Sequence, residues 1–227
     1  MSEELIPCLI TEPKHTPRHA VIWLHGLGAD GYDFEPIVPQ LQLPEELGVR
    51  FVFPHAPVRP VTINNHYPMR AWYDIVSLSE EGRDDKQGIQ QSQVLLQNLI
   101  AHQQQQGLSS EKIFLVGFSQ GAAVALYTAL RYPKKLGGVI ALSGYLPIAG
   151  TLDAERTAAN KKLPIFIAHG EEDPMVSIEL GKYCCTFLEK LGYPVQWQQY
   201  PMAHTVCDQE IQDLASWLQK HMAEQKI

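Results

Sequence analysis

The segment Lys112 to Leu130, KIFLVGFSQGAAVALYTAL, limits the folds open to this chain more than any other. It opens on an apolar, β-favouring run, Ile113-Phe114-Leu115-Val116. Gly117-Phe118-Ser119-Gln120-Gly121 follows, and then a helical pattern of small residues from Ala122 to Leu126. Strand, glycine-flanked serine and helix in succession predict a sharp turn with Ser119 at its apex. Side chains larger than glycine at the flanking positions would clash with the neighbouring strand and helix. The hydroxyl is then held at the sheet's edge, beside a helix N-terminus whose unpaired N–H groups suit a developing negative charge.

The flanking sequence alternates short strands with helices. Strands are predicted at His19–Leu24, Val49–Phe53, Ile113–Val116, Gly137–Leu142, Pro164–Ala168 and Val195–Tyr200. Leu5 to Ile10 reads as a short edge strand, because Pro7 argues against a central place. A short helix is expected over Asp33–Leu41. Longer ones are expected from Asp84 or Asp85 to about Gln106, from Ser177 to Leu191 and from about Asp208 to Met222. Pro54 to Asp74, with four prolines, reads as a long loop of the kind that usually carries function. This alternation implies an α/β fold with a mostly parallel sheet covered on both faces. No repeat or linker divides residues 1–227, so a single domain is expected.

Charge and composition exclude several functions. The net charge of −7, without a lysine or arginine cluster, disfavours nucleic acid and anionic membrane surfaces. No apolar run is long enough for a membrane span, and the acidic N-terminal residues do not read as a signal peptide. Cys8, Cys184, Cys185 and Cys207 form no C-x-x-C pattern, and two are adjacent; a reduced, cytoplasmic protein is expected. His25 and Asp30 have no usual metal-site spacing, His25-Gly26-x-Gly28 is not a dinucleotide fingerprint, and no cofactor is expected.

A serine hydroxyl needs a base, and the base needs an orienting carboxylate. Ligands of open parallel sheets bind outside the carboxyl ends of the strands. Asp173 and His204 each follow a predicted strand, in the order serine, acid, histidine. Glu171 and Glu172 are rivals to Asp173. Among the histidines, His25 precedes the serine and is better placed to support its own loop, His169 precedes the acid, and His221 lies on a terminal helix. The oxyanion formed during attack calls for two N–H donors, expected from Gln120 and from Leu27 in the first glycine-rich loop; only their backbone is needed. Trp72, Ile75, Leu78 and Phe118 are candidates for an acyl pocket, with ordinary core packing the alternative, above all for Phe118 and Leu78.

At these residues the chain resembles the carboxylesterase/acyl-protein thioesterase family, also described as phospholipase/carboxylesterase or lysophospholipase-like. The matching pieces are Leu24 to Gly31, Pro54 to Pro57, Arg70 to Asp74, Gly117 to Gly121, His169-Gly170, Asp173-Pro174 and His204. The resemblance implies an α/β-hydrolase fold, a Ser119, Asp173, His204 triad and Leu27 and Gln120 as oxyanion donors. It also implies substrates among carboxylic esters, lysophospholipids and, in some members, acylated proteins. Two departures are small: Ala122 stands where the family often has glycine, and Met202-Ala203 where it often has Gly-Met. An acyl-protein thioesterase or lysophospholipase is the alternative within hydrolases, and an inactive hydrolase-fold binding module the alternative outside them. Monomer and homodimer both remain open.

Overall fold

The computed structural model of the chain describes residues 5–77 and 84–224. Among the described residues, nine strands form two sheets. The strands β1 (Cys8–Thr11), β2 (His19–Leu24), β3 (Val49–Pro54), β6 (Ile113–Phe118), β7 (Gly138–Leu142), β8 (Ile165–Gly170) and β9 (Val195–Tyr200) make a seven-stranded sheet of order β1-β3-β2-β6-β7-β8-β9. Every pairing is parallel except that of β1 with β3. The apolar runs have the composition of strands buried on both faces. In β2, Ala20, Ile22 and Leu24 pack to one side while Val21 and Trp23 pack to the other.

Helices α1 (Lys86–Gln105), α2 (Gln120–Arg131), α3 (Ala149–Glu155) and α4 (Ile178–Lys190) contribute to the first side, and α5 (Asp208–Glu224) to the second. Helix α2 is buried from Gln120 to Leu130, which explains its run of alanines: a helix covered all round has no room for long side chains. Asp85, not Asp84, caps α1, accepting from Gly88 N at 2.9 Å. Ser177 caps α4, accepting from Glu179 N at 3.3 Å.

The structure differs from or adds to the sequence reading in three places. Residues 54–74 are not one loop: β4 (Val58–Val61) and β5 (Tyr67–Arg70) form an antiparallel ribbon. Pro60 faces Pro68 in it, and a two-stranded ribbon tolerates such a pair because neither residue must donate to a neighbour. The short helix expected over Asp33–Leu41 is a 3-10 helix, Glu35–Leu41, with Pro39 inside it removing an N–H that an α-helix would use. Helix α3 was not foreseen.

The connection from β6 to α2 is held by close backbone approach. A Cβ on Gly117 would stand 2.3 Å from the Gly121 carbonyl, and one on Gly121 would stand 2.4 Å from the carbonyl oxygen of Leu24. Gly121→Ala should therefore destabilise the protein by about 1–3 kcal/mol through overpacking. The midpoint of chemical denaturation measures this, and an unchanged midpoint would mean that α2 can move away from β2.

Candidate active site

Ser119 sits between the last residue of β6 and the first of α2 with φ 54° and ψ −117°. Positive φ is costly for a residue with a side chain, on the order of 1–3 kcal/mol. The surrounding packing imposes it: Ser119 N donates to Leu142 O at 2.8 Å, while its carbonyl accepts from Ala122 N and Ala123 N.

His204 lies in the loop after β9. Its Nε2 is 2.9 Å from Ser119 Oγ and its Nδ1 is 2.6 Å from Asp173 Oδ2. The Asp173 side chain is fully buried and its second oxygen accepts from Met175 N at 2.8 Å and Val176 N at 2.9 Å. Three donors thus satisfy a carboxylate that burial would otherwise penalise. An acceptor-only carboxylate also fixes the tautomer: Nδ1 carries the proton, and Nε2 is left to take one from the serine. The His loop is seated directly on β8, since a Cβ on Gly170 would stand 2.3 Å from Ala203 O and 2.4 Å from Met202 O.

The rivals fall elsewhere. Glu171 is exposed and accepts from Gln199 Nε2, and Glu172 is exposed too. His169 is buried beneath the acid loop, where its Nε2 donates to Val176 O at 2.8 Å, and burial lowers its pKa. His221 packs on Trp217 near the far end of α5.

Peptide planarity aims the two expected oxyanion donors. The Gly26 carbonyl accepts from His25 Nδ1 at 2.7 Å, so the N–H of the same peptide unit, on Leu27, must point the opposite way. The Ser119 carbonyl is held by the first turn of α2, which turns the Gln120 N–H away from the helix. Both Leu27 and Gln120 line the cavity that Ser119 and His204 share. Among the described residues, neither N–H has a hydrogen-bond partner.

His25 supports this loop. Its Nε2 accepts from Ala56 N at 3.0 Å, which makes Nδ1 the protonated nitrogen. Burial, opposed chiefly by the hydrogen bond to Gly26, lowers its pKa to about 4.

The cavity measures about 490 Å³ and has mainly apolar walls. Ile75 and Phe118 line it, and Phe118 also lies against the His204 ring at 4.8 Å between centroids. Trp72 does not line it, which corrects the expectation. Its side chain is buried, with Nε1 donating to His25 O at 2.9 Å and the ring 5.2 Å from that of His25. A buried indole N–H needs an acceptor, and here it finds one in the carbonyl of His25, at the start of the glycine-rich loop. Leu78 lies outside the described residues.

Ile63, Tyr73, Tyr145, Met175 and Val176 are wall residues that the sequence did not yield. Tyr145 follows the carboxyl end of β7, a signal that was available. Ile63 was concealed by the unrecognised β4–β5 ribbon. Of the two departures from the family pattern, Ala122 is accommodated because residue 144 is glycine: a Cβ there would stand 2.4 Å from the Ala122 methyl. Met202 is buried in the core. Among the described residues no cluster of three potential ligands could hold a metal ion.

The lowered pKa of His25 has a testable consequence. Between about pH 6.5 and 4 the unfolded chain binds a proton here that the folded chain does not. The contribution is present in full above pH 6.5 and is lost as pH falls through that window, by at most about 1.4 kcal/mol per unit. Ring titration by NMR should show His25 neutral down to about pH 4, and denaturation at stepped pH should show the loss.

A family profile described as phospholipase/carboxylesterase matches residues 7–222. Acyl-protein thioesterase 1 of Gibberella zeae is 36% identical over 231 residues, 98% of each chain. The carboxylesterase SOBER1 of Arabidopsis thaliana is 33% identical over 208 residues, 90% of this chain and 91% of its own. The SOBER1 crystal structure is similar with a TM-score of 0.85, covering 90% of this chain and 99% of that one. The crystal structure of acyl-protein thioesterase 2 of Zea mays also gives 0.85, at 28% identity, over 96% and 99%. With its sheet order, its strand-to-helix serine and this similarity over nearly the whole length, the chain belongs to the phospholipase/carboxylesterase family of α/β hydrolases.

Proposed function

We propose that this serine hydrolase cleaves carboxylic esters of apolar acyl groups, with Ser119 as nucleophile, His204 as base and acid, and Asp173 as orienting carboxylate. The observation that carries the reading is His204, with Ser119 Oγ 2.9 Å from one ring nitrogen and Asp173 Oδ2 2.6 Å from the other. His204 Nε2 takes the hydroxyl proton as Oγ bonds to the acyl carbon. The carbonyl oxygen becomes an oxyanion facing the N–H groups of Leu27 and Gln120. The tetrahedral intermediate then expels the leaving alcohol, which takes the proton from Nε2. Water repeats the sequence on the acyl-enzyme, releasing the carboxylic acid and restoring Ser119. Asp173, buried and hydrogen-bonded to Nδ1, orients the ring and favours the imidazolium formed at each step.

A second reading, thioester cleavage on acylated proteins, uses the same residues. The acyl-protein thioesterase relatives and the apolar cavity support it. In either case residues 1–227 work as one hydrolase domain on small ester, lipid ester or acylated protein substrates. A reducing, cytoplasmic setting suits its four free thiols. Among the described residues no helix is long and apolar enough to cross a membrane.

Replacing Ser119 with alanine should lower kcat on a short-chain nitrophenyl ester by on the order of 10⁶, because the three groups act as a unit. Retention of most of the activity would remove Ser119 from the mechanism.

The acyl-chain reading makes a separate prediction. Each methylene that enters the cavity contributes about 0.8 kcal/mol, so kcat/KM should rise by up to about fourfold per carbon until the cavity is full. Oxygen esters and thioesters of matched length, assayed side by side, measure this. A collapse beyond about eight carbons would confine the enzyme to short acyl groups.

A further inference from the structure

The Gln120 side chain is almost completely buried beside the site, and its two polar atoms face backbone, not cavity. Its Oε1 accepts from Trp72 N at 2.7 Å and its Nε2 donates to Tyr73 O at 2.7 Å. The next link is Trp72 itself, whose Nε1 donates to His25 O. His25 in turn holds the Gly26 carbonyl, whose peptide unit carries the Leu27 N–H. A short chain of hydrogen bonds therefore runs from the residue bearing one expected oxyanion donor to the loop bearing the other. Its far end is fixed as well: Gly28 N donates to Arg70 O at 2.8 Å, and an Arg70 guanidinium nitrogen donates to Ala56 O at 2.9 Å.

We propose that the Gln120 carboxamide is a positioning group that sets the separation and aim of the Leu27 and Gln120 N–H donors. This rests on the oxyanion role proposed above and adds a side-chain requirement to it. The chemistry of the contact selects the residue type. One atom must accept from an N–H and the other must donate to a carbonyl, at fixed reach from the helix start. A primary amide does both while remaining uncharged. Methionine or leucine of similar length would remove the acceptor for Trp72 N and the donor to Tyr73 O. Glutamate does both jobs only while protonated, its O–H donating to Tyr73 O and its carbonyl accepting from Trp72 N. Once ionised, it sets a carboxylate oxygen against the Tyr73 carbonyl. Burial and that contact both raise the pKa of such a carboxyl.

The test uses Gln120→Glu, Gln120→Met and Trp72→Phe in the full chain, each checked for a cooperative thermal transition. A merely structural role for Gln120 would lower the melting temperature and leave the pH dependence of kcat unchanged. The proposal expects kcat of Gln120→Glu to fall as pH rises through the pKa of the new carboxyl, by at least about tenfold and up to the 10²–10³ of a lost oxyanion donor. It should return toward wild type below that pH, with KM moving by no more than about twofold. Affinity for an acyl trifluoromethyl ketone, which forms a tetrahedral adduct with the serine, should fall by the same factor. Affinity for the fatty-acid product should not change. If Gln120→Glu does not fold, Trp72→Phe interrupts the same chain at the indole and should lower kcat and ketone affinity together. A pH profile of Gln120→Glu parallel to wild type overturns the proposal. So does an undiminished kcat in Gln120→Met, or in Trp72→Phe. Fluorophosphonate labelling of Ser119 in wild type separates the two levels: an unlabelled serine defeats the nucleophile assignment itself, whereas a labelled serine with indifferent Gln120 variants defeats only the positioning role.

Discussion

A methyl group at residue 121 would stand 2.4 Å from the carbonyl oxygen of Leu24 and 2.6 Å from that of His25. That distance measures how closely the start of α2 lies against the end of β2, and the site is built around the approach. With α2 so close, the turn after β6 has no slack, and Ser119 takes a positive φ. The same approach brings the serine peptide alongside the Gly26–Leu27 peptide of the neighbouring strand's loop. Two residues far apart in sequence, Leu27 and Gln120, thereby line one cavity. Glycine is needed at 117 and 121 for space, and the strain at Ser119 is sustained by buried strands on either side.

The polar groups around this contact divide into two kinds. His25, Trp72 and Gln120 are buried and uncharged, and each satisfies backbone atoms of loops that have no sheet to bond to. Of the three only His25 can ionise, and burial there penalises its charged form, which depresses its pKa to about 4. His204 is different. It is partly open to the cavity, and its ring connects a hydroxyl to a carboxylate already satisfied by two backbone donors. In the proposed mechanism the neutral network holds the two donor peptides and the accessible histidine moves the protons.

Residues whose positions follow from strand ends were legible before the fold was known. Ser119, Asp173 and His204 were each placed just beyond a predicted strand, and parallel strands bring such positions to one edge. Asp173 was favoured over Glu171 and Glu172 by the proline that follows it and by the family resemblance. What separates it is the turn at Met175 and Val176, which points its side chain inward. Trp72 was misread for a related reason. A large aromatic residue in a proline-rich segment looks available to a ligand, but the segment folds back as a ribbon and carries the indole under the first glycine-rich loop. The Gln120 side chain was overlooked because its partners, Trp72 and Tyr73, lie 47 or 48 positions away in the chain.

The sequence by itself determined the α/β alternation, the order of the sheet-edge loops and the residue types able to perform acyl transfer, because strand periodicity and glycine sterics are local properties. Only the tertiary structure decided which carboxylate meets His204, which aromatic residues face the cavity and how the two donor peptides are aimed. Those outcomes depend on hydrogen bonds between segments brought together by packing, and no local pattern encodes the direction in which a buried side chain finds its partner.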